Sequence, residues 1–247
     1  MAGRSRPPRA PPPAERTRAL AVLDLLGRAL PEARIALDFR DDVQLLVSVI
    51  LSAQCTDVRV NQATPALFRR FPDAAAFARA RPEALWPLIR SCGLYRNKAR
   101  NIVAALQAVA AEHGGRVPRT REALEALPGV GRKSAGVVLI QLGEGQHFPV
   151  DTHVGRVSRR LGFARELDPS RVERRLMALL PPERWNQGHQ LLVWHGRRTC
   201  TARAPACGRC PVEELCPRRG VRRDATAPTR AAAPSSPTRR ARRPSRP

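Results

Sequence analysis

At 247 residues with 43% hydrophobic content, the chain is long enough for one domain or two small ones around a real core, which excludes a protein disordered throughout. Its 44 Lys and Arg against 21 Asp and Glu leave a net charge of +23, the signature of a protein whose partner is a polyanion, nucleic acid before any other. No apolar run of about eighteen residues occurs, so no membrane span is expected.

The first thirteen residues, MAGRSRPPRAPPP, set three arginines among prolines and lack the apolar stretch of a secretory signal. Residues 1–14 are expected to be a disordered basic arm. Beyond them apolar residues recur at helical spacing, which predicts helices over 15–30, 42–53, 58–70, 73–80, 82–91, 97–113, 120–126, 132–142, 153–161, 169–180 and 185–197. Asp41, Thr120, Asp151 and Asp168 suit helix N-caps, and Gly93 and Gly114 suit helix ends. Strand-like alternation is nearly absent, so the fold class is all-α. After Cys216 come ten arginines, one aspartate and few large apolar residues, which makes 218–247 an expected disordered tail. Taking that tail (+9) and the first thirteen residues (+3) from +23 leaves +11, so the body is basic in its own right. A cytoplasmic, nucleoid-associated protein is expected.

The stretch LPGVGRKSAG, Leu127 to Gly136, joins two helical patterns through Pro128, Gly129 and Gly131. It predicts a helix, a glycine hairpin and a second helix over about 120–142, with Gly131 taking a positive φ. The amides of Gly129, Val130, Gly131 and Arg132 would then face outward at a helix N-terminus, where a phosphate oxygen binds without any base being read. Next comes Lys133, one of two lysines among the 44 basic residues. A phosphate contact is served at least as well by arginine. A nucleophile is not, because a guanidinium keeps its proton and an amine can lose it. Lysine at this position therefore favours nucleophilic chemistry.

Asp151, eighteen positions on, is within reach of Lys133, since the intervening helix and extended segment are long enough to double back. It could partner the lysine, cap the next helix, or do both. Further on, Cys200, Cys207, Cys210 and Cys216 are spaced as one compact four-thiolate loop. A single C-x2-C within so short a segment favours an iron–sulfur cluster over structural zinc, whose ribbons use two such knuckles. Cys55 and Cys92 sit in apolar helical contexts and suit small core residues.

Five segments taken together, ILSAQCTDVRVNQA (50–63), GLYRNKARNI (93–102), EALPGVGRKSAGVVL (125–139), VDTHVGRV (150–157) and HGRRTC with its cysteine loop, resemble the endonuclease III family of helix–hairpin–helix DNA glycosylases. The resemblance runs from about Glu15 to Cys216. It implies a two-lobed fold, with a central lobe over 35–145 and a terminal lobe from 15–34 plus 146–217 whose loop 200–216 holds a [4Fe-4S] cluster. It also implies a monomer acting on double-stranded DNA that contains oxidised pyrimidines or abasic sites, with base removal followed by β-elimination. Position by position, Lys133 would be the Schiff-base nucleophile and Asp151 its carboxylate partner. Gln54 and Leu94 would enter the DNA stack, and Asp57 and His153 would line the site. Ser134 and Gly136 stand where family members often carry threonine and asparagine, and Cys55 replaces another small residue. Gly136 is expected to weaken its helix by up to about 1 kcal/mol relative to alanine.

Overall fold

A computed structural model describes residues 10–144 and 147–221, so most of the expected arm (1–9) and most of the expected tail (222–247) lie outside the described residues. Eleven α-helices form among the described residues: α1 (Pro13–Ala29), α2 (Asp42–Ser52), α3 (Asp57–Arg70), α4 (Ala74–Ala78), α5 (Trp86–Ile89), α6 (Tyr95–Glu112), α7 (Arg121–Glu125), α8 (Arg132–Gln141), α9 (Thr152–Arg160), α10 (Pro169–Leu179) and α11 (Trp185–Arg198). No strand occurs among them, so the fold is all-α.

Capping chemistry sets the helix starts. The side chains of Asp41, Thr120, Asp151 and Asp168 accept from the amides of Gln44, Ala123, Val154 and Arg171, each three residues on. Such a bond satisfies one of the amides that a helix N-terminus leaves without an internal partner. Two expectations change. The helix predicted over 82–91 is broken into a 3-10 turn (Pro82–Leu85), the single turn of α5 and a second 3-10 turn (Arg90–Cys92), because Pro87, in its interior, removes an amide. At the N-terminus α1 begins at Pro13, inside the expected arm, with proline in the first turn where its missing N–H costs nothing. At the other end Arg219 N–H donates to Arg160 O at 3.1 Å, so the chain stays on the body beyond Pro217.

Two hydrophobic cores organise the helices. The first runs from Leu37 to Leu139 and is centred on α2, whose residues Leu45 to Leu51 are all buried. A helix apolar on every side must be enclosed, and α3, α6 and α8 enclose it. The second core joins α1 to α9, α10 and α11 around Leu23, Leu26, Phe148, Val157, Leu176 and Leu192. Here the two ends of the folded body meet, as in the Arg175–Glu15 ion pair at 2.6 Å.

The hairpin between α7 and α8 is built differently from the sequence expectation. Gly129 takes the left-handed conformation (φ +82°), whereas Gly131 is extended (φ −94°, ψ 176°) and acts as the N-cap of α8. The reason lies below the turn: a Cβ on Gly129 would sit 2.8 Å from both Cβ and Nδ2 of Asn101 in α6. Gly129→Ala is therefore expected to destabilise the fold by about 2 kcal/mol or more, from backbone strain plus the overlap. Gly131→Ala, with no heavy atom within 4 Å of the new Cβ, should cost about 1 kcal/mol or less. Denaturant unfolding of the two variants separates them.

Candidate functional site

Lys133 lies exposed in the first turn of α8, and the buried residues Ala135 to Ile140 anchor the rest of that helix in the first core. The chain then returns through residues 147–150 and crosses α8 at Gly136, where a Cβ would lie 3.0 Å from Pro149 Cγ. Glycine here permits a close approach, and that approach carries the following residue, Asp151, back toward Lys133. Asp151 caps α9 through Oδ1, which accepts from Val154 N–H at 2.8 Å. The cap uses one carboxylate oxygen and so is compatible with a second role for the side chain.

Lys133 and Asp151 line one cavity enclosing about 460 Å³ of space, part of it open to solvent, together with Ser52, Asp57, His189 and Arg197. The cavity lies where the two cores face each other. Asp57 of α3 accepts from Arg197 Nη1 of α11 at 2.7 Å, a contact that ties one core to the other across the cavity wall. His189 was not a sequence candidate. Its Nδ1–H donates to Pro149 O at 2.8 Å, which fixes the segment leading into Asp151. Burial, reinforced by the charge of Lys133 and opposed by that of Asp151, pushes its pKa down to about 4, so the ring is neutral at pH 7. No local motif marks it; it stands on the apolar side of α11 among Leu191, Leu192 and His195.

His153 does not line that cavity. Its Nδ1 lies 3.2 Å from Arg156 Nη2, and its Cβ packs against Gly196. The hairpin amides also differ from expectation, since Val130 N–H donates to Leu127 O at 3.1 Å and its side chain is buried. Gly131 and Arg132 remain at the exposed N-terminus of α8. The Arg132 side chain pairs with Glu173 at 2.7 Å, and Glu173, itself buried, also accepts from Arg121 at 2.9 Å. Gln54 and Leu94 are exposed and both have positive φ, +53° and +45°.

Cys200, Cys207, Cys210 and Cys216 line a second cavity enclosing about 380 Å³, part of it open to solvent. All four thiols are free, and among the described residues no three His, Cys, Asp or Glu side chains are grouped for a single metal ion. The thiols ring a space. N–H groups point at the sulfurs: Arg160 Nη1 lies 3.4 Å from Cys200 Sγ, and Arg218 N lies 3.4 Å from Cys216 Sγ. Burial pushes the Cys210 thiol up to about 11 and raises Cys207 and Cys216, so occupation of the site must displace protons. A ring of four free thiols with donors aimed at the sulfurs fits an iron–sulfur cluster. Arg160 also donates to the carbonyls of Thr201 and Ala202 at 2.6 and 2.8 Å, and Arg156 to that of Gly196 at 2.8 Å. The helix capped by Asp151 thus carries the arginines that hold the cysteine loop.

An all-α fold with a glycine hairpin, a lysine and aspartate sharing one cavity, and a four-cysteine loop defines a class. Residues 47–182 match the family model described as HhH-GPD superfamily base excision DNA repair protein, and 200–216 match the iron–sulfur binding domain of endonuclease III. The chain is 47% identical over 204 residues to endonuclease III of Synechocystis sp. (strain ATCC 27184 / PCC 6803 / Kazusa), a match covering 82% of this chain and 93% of that protein. It is 42% identical over 197 residues to endonuclease III of Escherichia coli (strain K12), covering 80% and 93%. Among solved structures, a trapped endonuclease III–DNA covalent intermediate superposes with a TM-score of 0.78 at 41% identity, covering 82% of this chain and 96% of that one. The chain belongs to the endonuclease III family.

Proposed function

We propose that this protein removes oxidised pyrimidines from duplex DNA in base excision repair and nicks the resulting abasic site by β-elimination, with Lys133 as nucleophile and Asp151 as its proton partner. The observation that carries the assignment of residues is the shared cavity of Lys133 and Asp151 beside the α8 hairpin. The resemblance of the fold to a covalent endonuclease III–DNA intermediate supports an enzyme that bonds to its substrate.

DNA lies along the cleft between a central lobe (35–145) and a terminal lobe (15–34 plus 146–217). The amides of Gly131 and Arg132 at the start of α8 hold a phosphate. A base inside the stack shields C1′, so the nucleotide turns out of the duplex, and Gln54 and Leu94 fill the gap. The neutral amine of Lys133 attacks C1′, the glycosidic bond breaks toward the base, and Asp151 takes the ammonium proton. The sugar opens as Asp151 returns that proton to O4′, which breaks the C1′–O4′ bond and leaves a protonated imine on Lys133 Nζ that acidifies C2′–H. Loss of that proton expels the 3′ phosphate, and water releases the nicked product from the lysine. His189 stays neutral and holds Pro149, which keeps the carboxylate at the lysine.

Cys200, Cys207, Cys210 and Cys216 would hold the [4Fe-4S] cluster, which when bound would cross-link the loop through their thiolates. Exposed Arg203 and Arg209 on that loop then face the DNA backbone. No helix among the described residues is long and apolar enough to cross a membrane, and nucleoid association is part of this reading. Incubation with duplex DNA bearing a single thymine glycol should release the base and nick the strand, and borohydride should capture a covalent adduct. Release with no adduct would remove the lysine mechanism. No release from any oxidised pyrimidine would remove the substrate assignment.

A further inference from the structure

The chain has two lysines, and the second one, Lys98, is not solvated. It is 4% exposed, one turn into α6. Its Nζ donates to two backbone carbonyls, Leu51 O at 2.8 Å and Cys92 O at 2.6 Å, and its own amide donates to Leu94 O at 3.0 Å. Leu51 lies in the last turn of α2, three residues before Gln54, and Cys92 closes the 3-10 turn two residues before Leu94. Carbonyls at helix ends lack the amide four residues on, and one buried Nζ supplies a donor to both ends.

Gln54 and Leu94 are two of only three non-glycine residues with positive φ among the described residues. Leu94 is also 60% exposed, one of three large apolar side chains so placed. A left-handed backbone is unfavourable for a side-chain-bearing residue and persists only where its surroundings hold it. An exposed leucine gains nothing from the fold that would offset it. Both turns are thus held in an unfavourable state, and both are held by the same ammonium group. A compact ammonium fits between two carbonyls approached from different elements, where a planar guanidinium would need a wider, coplanar pair.

The structure assigns Lys98 as a positioning residue that fastens the Gln54 and Leu94 turns at a fixed separation, so that both enter the vacated position in the DNA stack together. This rests on the reading that Gln54 and Leu94 occupy the gap left by the extruded nucleotide. Lys98 touches neither the DNA nor the reacting atoms; it acts through the two carbonyls. Its retention in an arginine-rich chain has a structural reason distinct from that of Lys133.

The test compares borohydride trapping on duplex abasic DNA with trapping on single-stranded abasic DNA, which has no stack to open. Lys98→Met keeps the length of the side chain and removes the donors. It should lower duplex trapping roughly ten- to hundredfold while single-strand trapping changes less than about twofold. A 2-aminopurine next to the abasic site should lose the fluorescence rise that binding of the unsubstituted protein produces. Lys98→Gln, which can still donate to a carbonyl, should recover part of the duplex rate and serves where the methionine variant does not fold. In the Leu94→Ala background, Lys98→Met should add less than about twofold, because its effect passes through the same turn. Equal losses on both substrates, or a fully additive double variant, would overturn the assignment of Lys98. If Leu94→Ala and Gln54→Ala both leave duplex trapping intact, the gap-filling reading fails instead.

Discussion

Lys133→Gln abolishes borohydride trapping of abasic DNA and lowers strand nicking by roughly 10³-fold or more, while affinity for the same duplex stays within about threefold. Glutamine keeps polarity and nearly the length of the side chain but has no nucleophilic nitrogen. The fold should tolerate the change, since Lys133 is exposed and makes no side-chain hydrogen bond among the described residues. Lys133→Arg is the sharper variant: it keeps the charge at the hairpin and removes only the capacity to lose a proton. A gel that resolves the covalent adduct, run beside a binding titration at fixed salt, reads both outcomes. Nicking by Lys133→Arg at the unsubstituted rate would exclude a Schiff base at this residue. A large loss of binding with either variant would mean that Lys133 serves chiefly as a phosphate contact.

Replacement of one of the four loop cysteines should have the second largest effect. Cys210→Ala is expected to remove the brown colour and the bound iron together, and to lower stability by at least about 4 kcal/mol, roughly 8–16 °C in Tm. Cys210 lies between the Cys207 turn and Val212, a core residue, with its Sγ 3.7 Å from His195 Nε2. Without the cluster, four free thiols are left partly buried around an empty space, and the loop carrying Arg203 and Arg209 loses its cross-links. DNA affinity should fall with it, most at low salt, where backbone contacts count most. Cys55→Ala and Cys92→Ala are the controls, because neither residue reaches the cysteine loop. Iron analysis and thermal unfolding separate the two groups. Full iron occupancy in Cys210→Ala would show that this thiol is not a ligand.

Much of the fold was legible because its determinants are local. Apolar periodicity placed the helices, and side chains three residues from their amide partners marked where four of them begin. The ligand spacing of the cysteine loop was equally plain, since one short segment carries all four thiols. Reading failed where a residue's neighbours come from elsewhere in the chain. Either glycine of the hairpin could have taken the positive φ; Asn101, about thirty positions earlier, decided for Gly129. The Val130 amide looked free and is turned to Leu127. His153 and His189 are both histidines on helices beside the site, and only the packing of α11 against the segment before α9 selects the latter. Gly136 looked like a weakened helix and proves to be the crossing point of residues 147–150.

The sequence alone thus determined the helical class, the helix starts, the metal-type loop and the candidacy of Lys133, all of which act within a turn or two of chain. Tertiary structure decided which groups meet. Asp151 joins Lys133 because Pro149 can lie against a glycine, His189 joins them by holding Pro149, and Lys98 links two turns that lie about forty residues apart. Such meetings depend on how two cores pack against each other, and no spacing along the chain encodes that distance.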